Sequence, residues 1–365
     1  MVYRAMGLMS GSSLDGLDIV VAEFQETGGA WKYEVLAADC YPYTTAWLEK
    51  LKGATSLNAL DYLLLHTEYG HYTGEMVNRF IEAHNLQYKV QLIASHGHTT
   101  FHMPSARMTA QLGDGAAIAA TTGINVVSDL RAINVALGGQ GAPIVPIGEK
   151  LLFNDYRFFL NIGGIANISC HTNGQVYAFD ICPANRVLNM LANEVKKPYD
   201  DKGEMAAGGK LLPNLLRMLN ELEYYSLPYP KSLANDFGTD VVYPLARGAG
   251  IKVQDALRTV TEHIAVQTAR ALQQVATPDD LKGRKLLITG GGAHNAFLVS
   301  RISAALQEIG VEAVVPDTIT IDFKEALIMA LIGILRWREE NNVLASVTGA
   351  SRDSIGGAVW IGQEA

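Results

Sequence analysis

Three glycine-rich segments place small polar residues directly after strand-like runs. They are MSGSSLDGLD at 9–18, NIGGIAN at 161–167 and TGGGAHN at 289–295. Glycine lets backbone N–H groups approach an anion closely, and short Ser, Thr and Asn side chains can add hydrogen bonds. For any one segment, a tight turn without a ligand explains the glycines as well. Three such segments, one of which carries Asp15 and Asp18, favour a two-domain clamp around a nucleotide, with the carboxylates available for Mg²⁺.

The glycine segments match neither of two common nucleotide-binding motifs. A P-loop needs GxxxxGK[ST], and a Rossmann fingerprint needs GxGxxG directly after a strand. The chain contains neither pattern in that context, which excludes both of these nucleotide-binding folds.

Asp180 is a candidate general base, because it ends the strand-like run QVYAFD (175–180). A carboxylate at the carboxyl end of a strand can face a crevice between domains and accept a proton there. The same residue precedes a helical segment at about 184–196, and Asp is a common helix N-cap. From position alone, the helix cap is the preferred interpretation. Nearby Cys182 has no basic neighbour in the sequence, so we expect it to be buried and unreactive.

Two closely spaced histidines raise the question of a metal site. His96 and His98 would share one face of a strand, as an H-x-H pair does in zinc sites. A zinc hydrolase needs further ligands, and the histidines outside this segment form no ligand pair. We therefore expect the segment to supply polar groups to a substrate pocket, with a metal-dependent hydrolase as the alternative.

Strand-like and helical segments alternate along the chain, which is typical of a layered α/β protein. The strand-like runs at 3–9 and 157–163 each lead through a glycine turn into a second strand. These two similar openings suggest a duplicated architecture.

The first half contains a long amphipathic helix and ends at a segment rich in glycine and proline, ALGGQGAPIVP (136–146). We take this segment as the boundary and predict domains at 1–132 and 133–365, with the last ~20 residues able to pack back on the first domain. The helix is expected to begin at Ser56 and to end near Asn85. Its apolar face is expected to contain Leu60, Leu63, Leu64, Thr67, Met76, Val77 and Phe80.

Composition and charge exclude several classes of protein. The 365 residues suggest about two domains. Lys and Arg number 29 against 37 Asp and Glu, giving a net charge of -8 without a basic cluster, which argues against a nucleic-acid partner. Three widely spaced cysteines favour a reducing compartment. The N-terminus does not resemble a signal peptide, and no apolar run reaches the ~18 residues of a membrane span. We therefore expect a cytoplasmic protein with no membrane partner.

Taken together, these motifs resemble those of the anhydro-N-acetylmuramic acid kinase family, almost from end to end. Many motifs in a fixed order are more specific than any single glycine segment. The matching stretches are GLMSGSSLDGLDIV (7–20), ASHGHTTFHMP (94–104), QLGDGAAIAATTGINVVSDLR (111–131), GGQGAPIVP (138–146), LNIGGIANIS (160–169), FDICPAN (179–185), YDDKGEMAAGG (199–209), PKS (230–232), TGGGAHN (289–295), KEA (324–326) and SVTGA (346–350).

The resemblance implies the fold of the actin, hexokinase and Hsp70 superfamily, in which two ribonuclease-H-like α/β domains close on ATP at a central cleft. It assigns Asp180 as the catalytic aspartate, which reverses the preference for a helix cap, and it places Asp15 and Asp18 near Mg²⁺. The expected ATP-binding residues are Gly11, Ser12, Ser13, Leu14, Asp15, Gly16, Leu17, Asp18, Gly163, Gly164, Gly290, Gly291, Gly292 and Asn295. The expected substrate contacts are His96, Arg131, Asn185 and Glu325.

The reaction that the resemblance implies combines hydrolysis with phosphoryl transfer. Asp180 would activate a water that attacks the anomeric carbon and opens the 1,6-anhydro bridge of the sugar. The freed O6 would take the γ-phosphoryl group of ATP, giving N-acetylmuramic acid 6-phosphate and ADP in peptidoglycan recycling. A homodimer is also implied.

The chain departs from the family pattern mainly in segments that we expect on the sugar side or at the hinge. His98 stands where the family usually has Gln, and Asn134 replaces a common Asp. The segments 148–149, 181–184 and 233–236 also differ, whereas the glycine segments are kept. The alternative function is therefore a related ATP-binding sugar kinase, or a catalytically reduced homologue, with a different amino-sugar ligand.

Overall fold

A computed structural model describes residues 1–11, 13–172, 174–229, 231–234 and 236–363. It contains two β-sheets with α-helices, so the mixed α/β class predicted from the sequence is confirmed. Within these residues, none of the helices combines the length and the apolar character needed to cross a membrane.

The strands follow one another along the chain as β1 (Val2–Ser10), β2 (Gly16–Thr27), β3 (Ala30–Pro42), β4 (Leu92–Met103), β5 (Met108–Leu112), β6 (Asn125–Ser128), β7 (Phe158–Ile162), β8 (Ile165–Thr172), β9 (Gln175–Pro183), β10 (Arg284–Thr289), β11 (Val311–Val314) and β12 (Ala358–Trp360). The α-helices are α1 (Thr45–Gly53), α2 (Ala59–Ala83), α3 (Gly115–Thr122), α4 (Ala132–Ala136), α5 (Pro146–Leu152), α6 (Asn185–Asn193), α7 (Glu204–Gly208), α8 (Pro213–Asn220), α9 (Tyr243–Ala246), α10 (Val253–Val275), α11 (Pro278–Leu281), α12 (Ala296–Glu308), α13 (Thr318–Trp337) and α14 (Ala345–Thr348).

The chain divides into two compact units, and unit 1 comprises Met1–Asn154 and Phe323–Ala365. Its sheet has the order β12-β6-β4-β1-β2-β3, and β5 pairs with β4. β1 is antiparallel to β2 and parallel to β4. The centre of β1 is fully buried, as expected for a strand covered on both faces. A Cβ on Gly7 would lie 1.8 Å from the carbonyl oxygen of Ala326, so this glycine lets α13 pack directly on the strand.

Unit 2 comprises Asp155–Asp322, and its sheet has the order β11-β10-β7-β8-β9. β7 is antiparallel to β8 and parallel to β10. Buried side chains of the central strands, such as Leu160 and Ile288, share one core with Ile264 of α10 and Ile302 of α12.

The two units repeat one topology. In each, three successive antiparallel strands form one side of the sheet. A fourth strand, β4 or β10, pairs in parallel with the first of them, and a fifth, β6 or β11, pairs in parallel with the fourth. Apart from β5 and β12, which unit 1 adds, this is the ribonuclease-H-like strand order. The expected fold class is therefore confirmed, and the similar openings noted in the sequence are the first hairpins of the two sheets.

The division between the units differs from the predicted boundary after residue 132. Helix α5 packs on β3 in unit 1, where the rings of Phe153 and Tyr33 lie 5.6 Å apart. The segment expected as a linker, 136–146, is folded within the same unit. Gly141 N–H donates to Asn134 Oδ1 over 2.9 Å, and Gln140 N–H donates to the Thr348 carbonyl over 2.7 Å. Glycine and proline therefore mark a folded turn here.

The end of the chain belongs to unit 1 from Phe323 onward. β12 pairs antiparallel with β6, and the Trp360 Nε1–H donates to Ser128 Oγ over 3.0 Å. The returning segment is longer than expected, because it includes most of α13.

Helix α2 presents a different face to the core than the sequence predicts. It begins after an N-cap at Asn58, and Leu60, Leu63 and Leu64 are 60–66% exposed. The buried side chains of its first half include Leu65 and Tyr69. The prediction of the apolar face was wrong in this half of the helix.

Candidate active site

The first glycine turn joins β1 to β2 in unit 1 and is closed by its own side chains. Asp15 Oδ1 accepts hydrogen bonds from Ser13 Oγ over 2.7 Å and from Gly16 N–H over 3.1 Å. Leu14 has a φ of 59°, and its N–H donates to the Gly11 carbonyl. A Cβ on Gly16 would lie 2.6 Å from the carbonyl oxygen of Tyr41 in β3, so this position requires glycine. Leu17 is buried in the core beneath the turn, and Ser12 lies outside the described residues.

The two carboxylates of this turn have different surroundings. Asp15 is exposed, whereas Asp18 is half-buried and faces the Cys40 thiol. Burial raises the pKa of Cys40, and the hydrogen bond to Asp18 raises it further. Among the described residues, no three His, Cys, Asp or Glu side chains are grouped as a metal site. One or two carboxylates with water and phosphate oxygens are nevertheless a common environment for Mg²⁺.

The second glycine turn joins β7 to β8 in unit 2 and contacts the start of α6. The Gly164 carbonyl accepts from Ala184 N–H over 2.8 Å and from Arg186 N–H over 3.3 Å. The Gly163 carbonyl accepts from Asn185 N–H over 3.1 Å. No side chain caps the start of α6, and its first N–H groups donate to these two carbonyls instead.

The third glycine turn follows β10 and packs on the second. Gly290 has a φ of 80°, and a Cβ there would lie 2.4 Å from Asn161 Oδ1. A Cβ on Gly292 would lie 2.2 Å from Ile162 Cγ2, so both positions require glycine, whereas Gly291 has ordinary space. Asn295 caps α12 by accepting from Leu298 N–H over 3.0 Å.

Asn185, expected as a substrate contact, lies with these glycine turns. Its Nδ2 donates to the Ile162 carbonyl over 3.0 Å, and its side chain is next to Gly291 and Gly292. The structure therefore brings Asn185 together with the expected nucleotide residues of unit 2.

Asp180 lies within β9, opposite Asn167 of β8. Its Oδ2 accepts from Leu233 N–H over 2.8 Å, and its own carbonyl accepts from the Tyr224 hydroxyl over 2.7 Å. Burial raises the pKa of Asp180, and the Leu233 N–H opposes this by favouring the carboxylate. The helix-cap interpretation is wrong, because Ala184 occupies the N-cap position of α6.

Lys231 and Tyr224 complete the surroundings of Asp180. The Asp180 N–H donates to the Lys231 carbonyl, and Lys231 Nζ lies 4.8 Å from the centroid of the Tyr224 ring. Burial lowers the pKa of Lys231. Sequence reasoning assigned no role to either residue, although Lys231 belongs to the PKS motif that carried part of the resemblance.

In unit 1 the structure brings together three of the four expected substrate residues. Arg131 Nε donates to His96 Nε2 over 2.9 Å, and Glu325 acts electrostatically on the guanidinium. Burial, together with the positive charge of Arg131, lowers the pKa of His96 to about 3. Burial also raises the pKa of Glu325, whereas Lys324 and Arg131 favour its charged form. The cluster therefore combines a neutral imidazole with a cation and a buried carboxyl group.

Both ring nitrogens of His96 form hydrogen bonds. Nε2 accepts from Arg131, and Nδ1 lies 2.8 Å from the Gly97 carbonyl, to which it donates when the imidazole is neutral. His98 Nδ1 contacts Ser10 Oγ over 3.0 Å. The hydrogen bonds of His96 occupy both nitrogens through which it would bind a zinc ion shared with His98, which counts against the metal-dependent hydrolase.

A buried ion pair that the sequence did not predict lies next to this cluster. Lys324 Nζ and Glu149 Oε1 are 2.8 Å apart, and both side chains are 4% exposed. Their separation in the chain gives no local pattern, so only the packing of α5 and α13 reveals the pair.

Comparison with known proteins places these features in one family. The family model described as anhydro-N-acetylmuramic acid kinase matches residues 3–362. A protein of Pasteurella multocida (strain Pm70) named anhydro-N-acetylmuramic acid kinase is 32% identical over 375 residues, which cover 97% of this chain and 96% of that protein. A solved structure of an activator of the 2-hydroxyisocaproyl-CoA dehydratase from Clostridium difficile with bound ADPNP covers 92% of this chain and 96% of its own, with a TM-score of 0.44 and 15% identity. The family match and the relative together show that this chain belongs to the anhydro-N-acetylmuramic acid kinase family.

Proposed function

We propose that the protein performs the reaction for which its family is named through Asp180 and the His96–Arg131–Glu325 cluster. Water adds to the anomeric carbon of 1,6-anhydro-N-acetylmuramic acid, and the bond from that carbon to O6 breaks. O6 is then phosphorylated at the expense of ATP, so the products are N-acetylmuramic acid 6-phosphate and ADP. Such a two-part reaction needs one base and groups that orient the sugar and the phosphates.

The environment of Asp180 is the observation that carries this proposal. One carboxylate oxygen is fixed by Leu233 N–H, whereas Oδ1 accepts no hydrogen bond from the described residues. A raised pKa makes the carboxylate a stronger base, while the Leu233 N–H favours its charged form. We propose that Oδ1 takes the proton of the attacking water.

The unit 1 cluster is proposed to bind the sugar. His96 is held in one neutral tautomer by Gly97 and Arg131, so its ring cannot reorient without losing two hydrogen bonds. Arg131 and Glu325 supply a donor and an acceptor of opposite charge beside it. Hydroxyl and carboxylate groups of an amino sugar are suitable partners for such a set.

The glycine turns are proposed to bind ATP, which supplies the phosphoryl group. In unit 2, the packing that requires glycine at Gly290 and Gly292 brings the second and third turns together. In unit 1, we propose that Gly11 to Asp18 contact the phosphates and that Asp15 and Asp18 supply carboxylates to Mg²⁺. A homodimer in the cytoplasm is proposed from the family resemblance.

Mass spectrometry of the product tests the proposal directly. The purified protein is incubated with Mg-ATP and 1,6-anhydro-N-acetylmuramic acid, with parallel reactions that lack ATP or contain N-acetylglucosamine. We expect a product heavier than the substrate by one water and one phosphoryl group, formed only with ATP and the anhydro sugar. Binding of ATP without this product would instead favour a kinase or binding protein for another amino sugar.

A further inference from the structure

Arg186 is a cation next to the second glycine turn for which the proposed reaction has no role so far. Its Nε is buried and has no hydrogen-bond partner among the described residues. Among the described residues Arg186 forms no ion pair, whereas other arginines of unit 2, such as Arg247 and Arg301, pair with carboxylates. Leaving a buried guanidinium N–H without an acceptor costs free energy, which a bound anion would recover.

The position of the side chain indicates which group such an anion would meet. A Cβ on Gly164 would lie 3.8 Å from Arg186 Cβ and 3.9 Å from Arg186 Nε, so the side chain runs alongside the glycine turn. No hydrogen bond of the described turns and loops is donated by the N–H of Gly163 or Gly164. The turn and the guanidinium therefore offer N–H donors next to each other.

The helix start does not compete for this role. The first N–H groups of α6, those of Ala184, Asn185 and Arg186, donate to the carbonyls of Gly163 and Gly164. An anion at this place would therefore be bound by the Arg186 side chain and by the turn, and not by the end of the helix.

We infer that Arg186 binds a nucleotide phosphate at the second glycine turn, an inference that rests on the proposed ATP-dependent function. A guanidinium forms strong, directional hydrogen bonds with phosphate oxygens and remains charged at all relevant pH values. The sequence offers no general signal for this role, because an arginine in the first turn of a helix is usually a surface residue.

Calorimetric titration with ADP, adenosine and inorganic phosphate tests the inference without measuring catalysis. The variants are Arg186→Met, which removes the charge, and Arg186→Lys, which keeps it but loses the planar set of donors. Arg217→Met is the matched control, because Arg217 forms an exposed ion pair with Glu221 in the same unit. We expect Arg186→Met to weaken ADP binding about 10- to 100-fold and to leave adenosine binding unchanged, with an intermediate loss for Arg186→Lys.

The same titrations can also contradict the inference about Arg186. Two results would overturn the inference but leave the proposed function standing. In one, Arg186→Met weakens the binding of ADP and adenosine equally; in the other, it binds ADP as tightly as wild type. A phosphate-specific loss for Arg217→Met of the same size would overturn it too, because a general change of charge would then explain the data. A wild-type protein that does not bind ADP would overturn the proposed function as well. Thermal unfolding without ligand checks that the variant is folded. Because Arg186→Met removes an N–H that has no partner, we expect Tm not to fall.

Discussion

At the scale of the residue, Asp180 is subject to two opposing influences. Burial disfavours its charged form, while the Leu233 N–H stabilises the carboxylate. Burial is the larger effect, so the pKa of the carboxyl group lies above its ordinary value. A base of this kind is stronger than an exposed aspartate.

The pH dependence of kcat/KM should reveal this shift. Because Asp180 must be deprotonated to act as a base, activity should fall as the pH decreases through its raised pKa. We expect the acid limb to lie above pH ~4, the ordinary range of an aspartate. Steady-state kinetics over the pH range in which circular dichroism shows a folded protein measures the limb.

Glu325 is a second carboxyl group of the proposed machinery with a raised pKa, so a control must separate its titration from that of Asp180. Asp180→Glu should move the acid limb, whereas Glu325→Gln should reduce kcat/KM and leave the limb in place. A limb that follows Glu325, or a kcat/KM that is flat down to pH 4, would contradict the assignment of Asp180 as the base.

The candidate site was predictable from the sequence where residue type and local position suffice. The glycine turns and Asp180 come from such local patterns. Other features of the site depend on residues far away in the chain. These features are the position of Asn185 beside the glycine turns, the hydrogen bond of His96 with Arg131 and the lack of a partner for Arg186 Nε. Local sequence contains no information on those partners.

At the scale of the element, α2 shows why periodicity can mislead. Leu60, Leu63 and Leu64 satisfy a helical spacing, yet the core contacts of that half come from Leu65 and Tyr69. The buried face of this half includes Tyr69, whose hydroxyl forms a hydrogen bond with that of Tyr43. The spacing of apolar residues in a sequence does not predict a buried hydrogen bond of this kind.

The packing of α5 on α13 depends on the buried pair Glu149–Lys324. We expect Glu149→Gln to lower the free energy of unfolding by about 3–5 kcal/mol, because it removes the carboxylate that faces the buried Lys324 ammonium. Denaturant titration followed by circular dichroism measures this loss.

The matched control is Glu68→Gln, which breaks the Lys50–Glu68 pair between side chains that are 44% and 51% exposed. Its effect should stay within about 1 kcal/mol, because water screens an exposed pair. Equal losses for the two variants would show that burial does not determine the strength of the Glu149–Lys324 pair.

At the scale of the whole molecule, the alternation of strands and helices predicted the class, and the repeated openings predicted two related halves. The boundary could not be predicted in the same way, because glycine and proline mark tight folded turns as readily as linkers. The return of the chain to unit 1 depends on β12, whose partner β6 is more than two hundred residues earlier. No local feature of residues 358–360 indicates that pairing.

Removal of residues 358–365 tests the importance of this return. The truncated chain loses the pairing of β12 with β6 and the contact of Trp360 with Ser128. We expect Tm to fall by about 5 °C or more, because the edge of the unit 1 sheet becomes exposed. Trp360→Phe keeps most of the apolar contact and should have a smaller effect. An unchanged Tm for the truncated chain would mean that β12 does not stabilise the unit.

The central claim is that the Asp180 carboxylate activates the water that opens the anhydro sugar. The most direct measurement is the rate of N-acetylmuramic acid 6-phosphate formation by wild type, Asp180→Asn and the control Asp240→Asn, whose carboxylate is exposed in the same unit. ADP binding should be equal in all three proteins. We predict that Asp180→Asn lowers the rate at least ~100-fold, as expected for loss of a general base, and that Asp240→Asn matches wild type. Product formation by Asp180→Asn at the wild-type rate would contradict the claim.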